Sequence, residues 1–470
     1  MSVGMLKIGA LGLALTGLAG CQSLVYKQPL PQLPTGRLVE PAQRLGDYQP
    51  AQIDGFGAEK VPYQQMLGNK AVCAVNVQGL NYLTQGANGE ETNASAVLLT
   101  PTGSAAVCQQ PHALIAYARG TETKRSRTLA DMDDHTTQEL AVFYASQGYA
   151  VVAIDYLGFG KSAYPYHPYV HADSEATTMI DAMRAARQSL TLDQVPLNGQ
   201  VMVFGHSEGG HAALATQQAI ESDSALASEF DLAAAGSSAA PAALTDYVQH
   251  MINPKTPSQL GHLALAYAIV SYQRVYGNIY RSPSQMFREP YADRIADLLP
   301  GRFGMTSMLA LKRVPWHGGD DQATNIRQTY VDQMPTALAN PSEAPSLVMP
   351  FLNAVKRNDF SQMGWTPRTP TLLCGGKNDP LVLYPYATAP LAKQWADVKT
   401  VKVVDVDPQT DALAHTLWQS ADDAVLYKLM GIKTEQDYKA FVYHWLLVSQ
   451  TCMAESKRWF DAALRATDTP

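Results

Sequence analysis

The chain is expected to fold as a mostly parallel α/β sheet with helices on both faces and a helical cap inserted late in the sequence. Short apolar runs alternate with helix-patterned stretches, as when parallel strands are joined by crossover helices. That alternation lapses between about residues 243 and 365 and then resumes. The chain has 470 residues, of which 46% are hydrophobic, enough for one large core and an elaboration on it.

Taken in order, residues 71–84 and 95–100 read as strands that could form an opening antiparallel pair. Residues 113–118 (ALIAYA) form a buried strand running into Arg119-Gly120-Thr121, and residues 136–146 a helix stopped by Gly148. Residues 150–154 (AVVAI) are the next strand. Over 174–190, Met179, Ala182, Met183 and Ala186 recur at the three-to-four spacing of a helix. Residues 201–204 (VMVF) form a strand that leads into a helix through residue 220, and 232–236 are a further strand. Within the insertion, 259–276, 305–311, 322–334 and 347–355 have helical character. The sheet resumes with PTLLC at 370–374 and VKVVDV at 401–406, and a helix over 434–447 closes the fold. The expected organisation is therefore 51–242 with 366–470 as core and 243–365 as cap.

The first fifty residues read differently. Lys7 is a thin positive region, residues 8–18 an apolar one, and Leu18-Ala19-Gly20-Cys21 closes it. This is too short to span a bilayer and reads as a signal peptide over 1–20. Its ending resembles a bacterial lipobox, which implies acylation of Cys21 and, with Gln22 next, an exported protein anchored in the outer membrane. Residues 21–50, proline-rich and without hydrophobic period, read as a tether. Export permits disulfides. Cys73, Cys108, Cys374 and Cys452 allow three connectivities. Cys73–Cys108 and Cys374–Cys452 are the expected pairs, because each lies in one region of the chain. A net charge of −7 without a basic cluster argues against a nucleic-acid partner.

The chemistry centres on Gly205-His206-Ser207-Glu208-Gly209, a G-x-S-x-G pentapeptide between a strand and a helix. Such a turn projects its serine as a nucleophile. On its own the pattern also suits a glycine-rich turn carrying an exposed serine. A serine hydroxyl needs a base within hydrogen-bond reach and a group that orients the base. Asp379 follows the 370–374 strand in a glycine-rich turn; in isolation it would be an ordinary turn or capping aspartate. His415 follows the 401–406 strand and is the expected base. Its rivals are His444, inside the closing helix, His206 in the turn itself, and His211 on the helix behind it. Asp405 and Asp411 are alternative acids but follow the wrong strand. The oxyanion donors are expected to be the backbone N–H of Glu208 and of Thr121, with Gly120 the second choice. His167 and His171 lack a helical frame and a third ligand, and Gly318-Gly319-Asp320-Asp321 offers too few spaced oxygens, so no metal site is expected.

With these residues in view, the chain resembles the α/β-hydrolases and, more narrowly, the secretory-lipase-type esterases. The resemblance rests on ARGT at 118–121, DYLGFGKS at 155–162 with HPY at 167–169, GHSEGG at 205–210 and GGKNDPLV at 375–382. It implies ester hydrolysis through an acyl-enzyme, with Ser207, Asp379 and His415 as triad and no cofactor. Arg119 stands where many such enzymes carry histidine. The expected partners are a small-molecule or lipid ester and, through Cys21, a membrane. Two alternatives stay open. One is a serine exopeptidase on the same fold, with Glu208 or Asp320-Asp321 holding a free amine. The other is a non-catalytic surface lipoprotein.

Overall fold

A computed structural model describes residues 35–467 except 59–60, 63–65, 253–258, 311–325 and 341–346. Between 410 and 440 it describes only 411, 414, 415 and 418. The signal-peptide and Cys21 readings lie outside the described residues, as do Asp320 and Asp321.

The core is a single nine-stranded sheet. Its strands are β1 (Gln43–Tyr48), β2 (Ala74–Gln85), β3 (Glu91–Thr102), β4 (His112–Ala118), β5 (Ala150–Ile154), β6 (Leu197–His206), β7 (Asp231–Ser238), β8 (Thr371–Gly375) and β9 (Val401–Asp405). They lie in the order β1-β2-β3-β5-β4-β6-β7-β8-β9. β1, β2 and β3 are antiparallel, and β3 joins β5 antiparallel; every later pairing is parallel. The fully buried strands β4, β5 and β8 are those read as continuous apolar runs, because a parallel sheet is covered on both faces. Helices α1 (His135–Phe143), α2 (Ala172–Leu192) and α3 (Glu208–Ser222) cross between the parallel strands.

Residues 35–50 are not wholly a tether. Leu38 bridges Tyr82, β1 pairs with β2, and the N–H of Gly36 and Val39 donate to Leu83 and Asn81 carbonyls at 2.7 and 2.8 Å. β1 is an edge strand, exposed at Gln43 and Arg44, half-buried through Asp47 and buried only at Tyr48, so it carries no hydrophobic alternation for a sequence reading to find.

The inserted segment has its own apolar core, built from α4 (Leu244–Met251), α5 (Gln259–Tyr276), α6 (Gln328–Ala339) and α7 (Met349–Arg357). It is tied to the sheet at its base. The Asp359 carboxylate accepts the Thr245 N–H at 2.8 Å, the Asn358 side chain accepts the Ala172 N–H at 2.8 Å, and Phe360 N–H donates to Ala242 O at 3.0 Å. At the other end of the chain, Tyr443–Val448 is a π-helical turn that runs into the long helix α8 (Ser449–Thr467), packed under β7 and β8. No described helix is long and apolar enough to cross a membrane.

Cys73 is bonded to Cys108 and Cys374 to Cys452. The second bridge joins the end of β8 to α8 and closes a segment with a sequence separation of 78. Closing a loop of that length restricts the unfolded chain and is worth about 4 kcal/mol in the chain-entropy model. Replacing Cys374 and Cys452 by serine should therefore cost about 2–4 kcal/mol in denaturant unfolding, and a reductant should lower the wild-type midpoint by more than that of the double variant, which keeps only the Cys73–Cys108 bridge.

Candidate active site

β6 ends at His206 and α3 begins at Glu208, leaving Ser207 alone to make the turn. Its backbone sits at φ 60°, ψ −121°, a conformation that L residues rarely adopt. The surroundings hold it there. Ser207 N–H donates to Ser238 O at 2.8 Å, and Ser207 O accepts the N–H of Gly210 at 2.9 Å. The flanking glycines allow the close approach. A Cβ on Gly205 would stand 2.1 Å from Gly209 O, and one on Gly209 would stand 1.9 Å from Ala118 O. Strand, turn and helix thus meet at backbone distance beside the end of β4.

Asp379 is 2% exposed in the turn after β8. One carboxylate oxygen accepts the N–H of Leu381 and Val382 at 2.9 and 3.0 Å. The other accepts from His444 Nδ1 at 2.7 Å. This corrects the sequence expectation. Asp379 engages His444, whereas His415 is exposed and its backbone N–H donates to Asp411 O at 2.9 Å. The physical reason lies in the π-helical turn. A histidine within a helix reads as a packing residue, but here the turn widens and directs consecutive side chains to different elements. Tyr443 hydroxyl bonds the Asp407 carboxylate, His444 bonds Asp379, and the Trp445 ring packs on Gly120. Asp407 also accepts from the Asn378 amide at 2.8 Å, so the same carboxylate braces the Asp379 turn and the histidine's segment.

His444 is fully buried, and its Nε2 has no hydrogen-bond partner among the described residues. Its ring lies 4.6 Å from that of His206, the residue before Ser207. His206 is buried too, and burial, reinforced by His444, holds its imidazole well below the usual histidine range. It is therefore neutral, with Nδ1 at 3.0 Å from the Ser238 hydroxyl.

The loop after β4 approaches from the opposite side. Thr121 and Ser207 line one pocket with Tyr169, Tyr247, Leu263, Ala264, Tyr267, Met305, Leu381, Val382 and Trp445. Its free volume is about 40 Å3. Glu122 shapes the loop: its carboxylate accepts the N–H of Thr123 and Lys124, both at 2.7 Å, and bonds Arg127 at 2.9 Å. Arg119 is buried with Nη2 at 3.3 Å from Glu122. Thr121 hydroxyl is 3.0 Å from Tyr169 hydroxyl. Glu208 opens α3, where the first backbone N–H groups have no intrahelical partner. Its side chain turns away from the pocket to bond His167 Nε2. Beneath it, His211 bonds the Glu175 carboxylate at 2.6 Å and the Asn358 carbonyl at 2.8 Å. Burial raises the Glu175 carboxyl above its usual range. His167 and His171 do not converge on one ligand site: His171 caps α2 through Ser174. Among the described residues no cluster suited to a metal ion is present.

A nine-stranded, mostly parallel sheet with a serine on a strained strand-to-helix turn, and a buried aspartate–histidine pair beside it, defines an α/β-hydrolase. A secretory lipase family model matches residues 129–284. The rice cell wall degrading esterase LipA from Xanthomonas oryzae is 34% identical, with a TM-score of 0.69 over 89% of this chain and 100% of that one. Two more distant structures share the fold. A Legionella pneumophila hydrolase has 20% identity and a TM-score of 0.66 over 87% of this chain and 97% of its own. Candida antarctica lipase A has 14% identity and a TM-score of 0.53 over 86% and 84%. No curated protein sequence matches. The chain belongs to the secretory-lipase family of ester hydrolases.

The closeness of the turn makes it intolerant of even one methyl group. Gly209→Ala should lose at least about 3 kcal/mol of stability or fail to fold, because its Cβ meets backbone that cannot move aside; chemical denaturation followed by circular dichroism measures it.

Proposed function

We propose that the protein is a serine carboxylic-ester hydrolase whose triad is Ser207, His444 and Asp379. The observation that carries this reading is the buried Asp379–His444 hydrogen bond beside the Ser207 turn. Because His444 Nδ1–H donates to Asp379, the neutral ring keeps a lone pair on Nε2. Nε2 takes the proton of Ser207 as the hydroxyl oxygen attacks the ester carbonyl. Asp379 stabilises the imidazolium that forms and is itself held by two backbone N–H groups. The N–H groups of Glu208 and Thr121 receive the oxyanion, the first reinforced by the positive end of the α3 dipole. Collapse expels the alcohol, which takes the proton back from His444, and leaves an acyl-Ser207 ester. Water activated by His444 then releases the acid.

The pocket favours this reading over an exopeptidase. Among the described residues no carboxylate lines it, and Glu208, the described candidate for holding a free amine, is buried against His167. About 40 Å3 has room for roughly three water-sized groups. The preferred acyl chain is accordingly short. Export is consistent with the family's secretory character, and we propose a lipid anchor at Cys21 on the strength of the lipobox-like segment alone.

With p-nitrophenyl esters, Ser207→Ala and His444→Ala should each lower kcat/KM by roughly 10⁴–10⁶-fold. His415→Ala should stay within about twofold, as for an exposed surface residue. Loss of activity in His415→Ala with His444→Ala unimpaired would overturn the assignment of the base. Acetate and butyrate esters should exceed the palmitate ester by at least about tenfold, the cost of chain that does not fit. For the anchor, wild-type protein should partition with membranes and Cys21→Ala should be released to the soluble fraction; a variant that stays membrane-bound would refute acylation as the cause.

A further inference from the structure

A second, open cleft of about 640 Å3 lies where the cap meets the loops after β4 and β5. It shares no lining residue with the Ser207 pocket. Arg125, Ser126 and Ser162 form one wall; Arg274, Asp297 and Arg302 form the other. Three arginines thus face one carboxylate, in a chain whose net charge is −7.

The arrangement is unlike the protein's treatment of other arginines. Arg127 pairs with Glu122 and Asp134 at 2.9 and 2.8 Å, and Arg184 with Asp181 and Glu229 at 2.9 and 2.6 Å. In the cleft, Arg274 donates to the carbonyls of Ala296 and Leu299 at 2.8 and 3.2 Å, and its guanidinium lies 5.7 Å from the Tyr166 ring centre. Arg125 donates to the Pro165 carbonyl. Carbonyl partners orient a guanidinium but leave its charge in place. Among the described residues none of the three cleft arginines forms an ion pair. Burial lowers the Arg274 pKa, and the neighbouring charge of Arg125 acts in the same direction, opposed by Tyr267, Tyr280 and Asp297. Keeping like charges together costs stability unless something neutralises them.

The walls are also fixed in place. Arg125 N–H donates to Gly301 O at 2.9 Å, Gly160 N–H donates to Arg125 O at 3.2 Å, and Gly301 N–H donates to Thr123 O at 2.8 Å. Within it the Arg125 and Arg274 guanidinium groups are oriented by their carbonyl partners, and donors held in advance lose little entropy on binding.

We propose that this cleft is a binding site for an oxyanion, a carboxylate or phosphate group on a small soluble ligand, held by the guanidinium groups of Arg125, Arg274 and Arg302. The planar donor fork of arginine matches both groups, and the charge surplus selects for an anion over a neutral sugar or alcohol. The inference stands apart from the ester-hydrolase reading, since it uses none of the residues assigned to catalysis. The test is isothermal titration of the full chain with citrate and, separately, inorganic phosphate, at constant ionic strength against a chloride control. The expected result is saturable one-site binding, weakened at least tenfold in Arg302→Ser and further in Arg125→Ser/Arg302→Ser. Arg302 is exposed, so its variant should keep the wild-type thermal midpoint without anion. Ser207→Ala should bind as wild type. Tighter citrate binding would identify a carboxylate ligand and tighter phosphate binding a phosphate one. Absence of saturable binding of either anion, or binding indifferent to the double substitution, would overturn the proposal.

Discussion

The close approach of three backbones at the Ser207 turn is the constraint on which the remaining architecture depends. Gly205, Gly209 and Ala118 meet at distances that no side chain would permit. Ser207 holds an unfavourable φ only because β4, β6, β7 and α3 all bear on it, through the Ser238 carbonyl on one side and the first turn of α3 on the other. A strained residue of this kind costs of order 1–3 kcal/mol and persists where the surroundings over-determine it. Here the over-determination comes from a parallel sheet buried on both faces. The strain is thus set against the best-packed part of the molecule.

Part of the buried charge is arranged around that turn. Glu208 at the start of α3 and Glu175 on α2 are both buried, each joined to a histidine, His167 and His211. An unpaired carboxylate at this depth would be costly, and breaking such a pair typically loses 3–5 kcal/mol. His211 passes the connection on to the Asn358 carbonyl, and Asn358 in turn accepts the Ala172 N–H at the start of α2. The helix that presents Ser207 is therefore linked, through the buried His211–Asn358 bond, to the base of the cap. Cap and turn share one polar foundation even though each has a separate apolar core.

Much of this was legible in the sequence, and what was not has physical causes. β4, β5, β6 and β8 announced themselves because strands buried on both faces are continuously apolar. The placement of Ser207 and Asp379 in turns at strand ends was legible because those turns are marked by glycine, where backbone geometry restricts composition. β1 was hidden because an exposed edge strand needs no alternation. The Asp379–His444 hydrogen bond is hidden for the opposite reason: His444 lies in an apolar helical stretch whose periodicity says only that the segment packs. Nothing in YHWLLV distinguishes a π-helical turn from an α-helical one, since the difference lies in which carbonyl each N–H reaches. The available signal was chemical. A histidine between a tyrosine and a tryptophan, in a segment just before Cys452, sits close to a covalent tie to the strand that carries the aspartate.

That tie bears on how the proposed triad is kept in register. Asp379 follows β8 by a few residues, and Cys374 lies within β8 itself; His444 precedes Cys452 by about two helical turns. The disulfide and the Asp379–His444 hydrogen bond thus close a small cycle of two short chain segments, with Asp407 bracing it through Asn378 and Tyr443. A hydrogen bond within such a cycle is nearly intramolecular in character, so little entropy is lost in forming it. Ser207 lies outside the cycle, fixed by the sheet. Its alignment with His444 then depends on two packing contacts: the His206 ring against that of His444, and the Trp445 ring against Gly120. Those two contacts, rather than the cap, are where a substitution remote from the reacting atoms would most readily separate nucleophile from base.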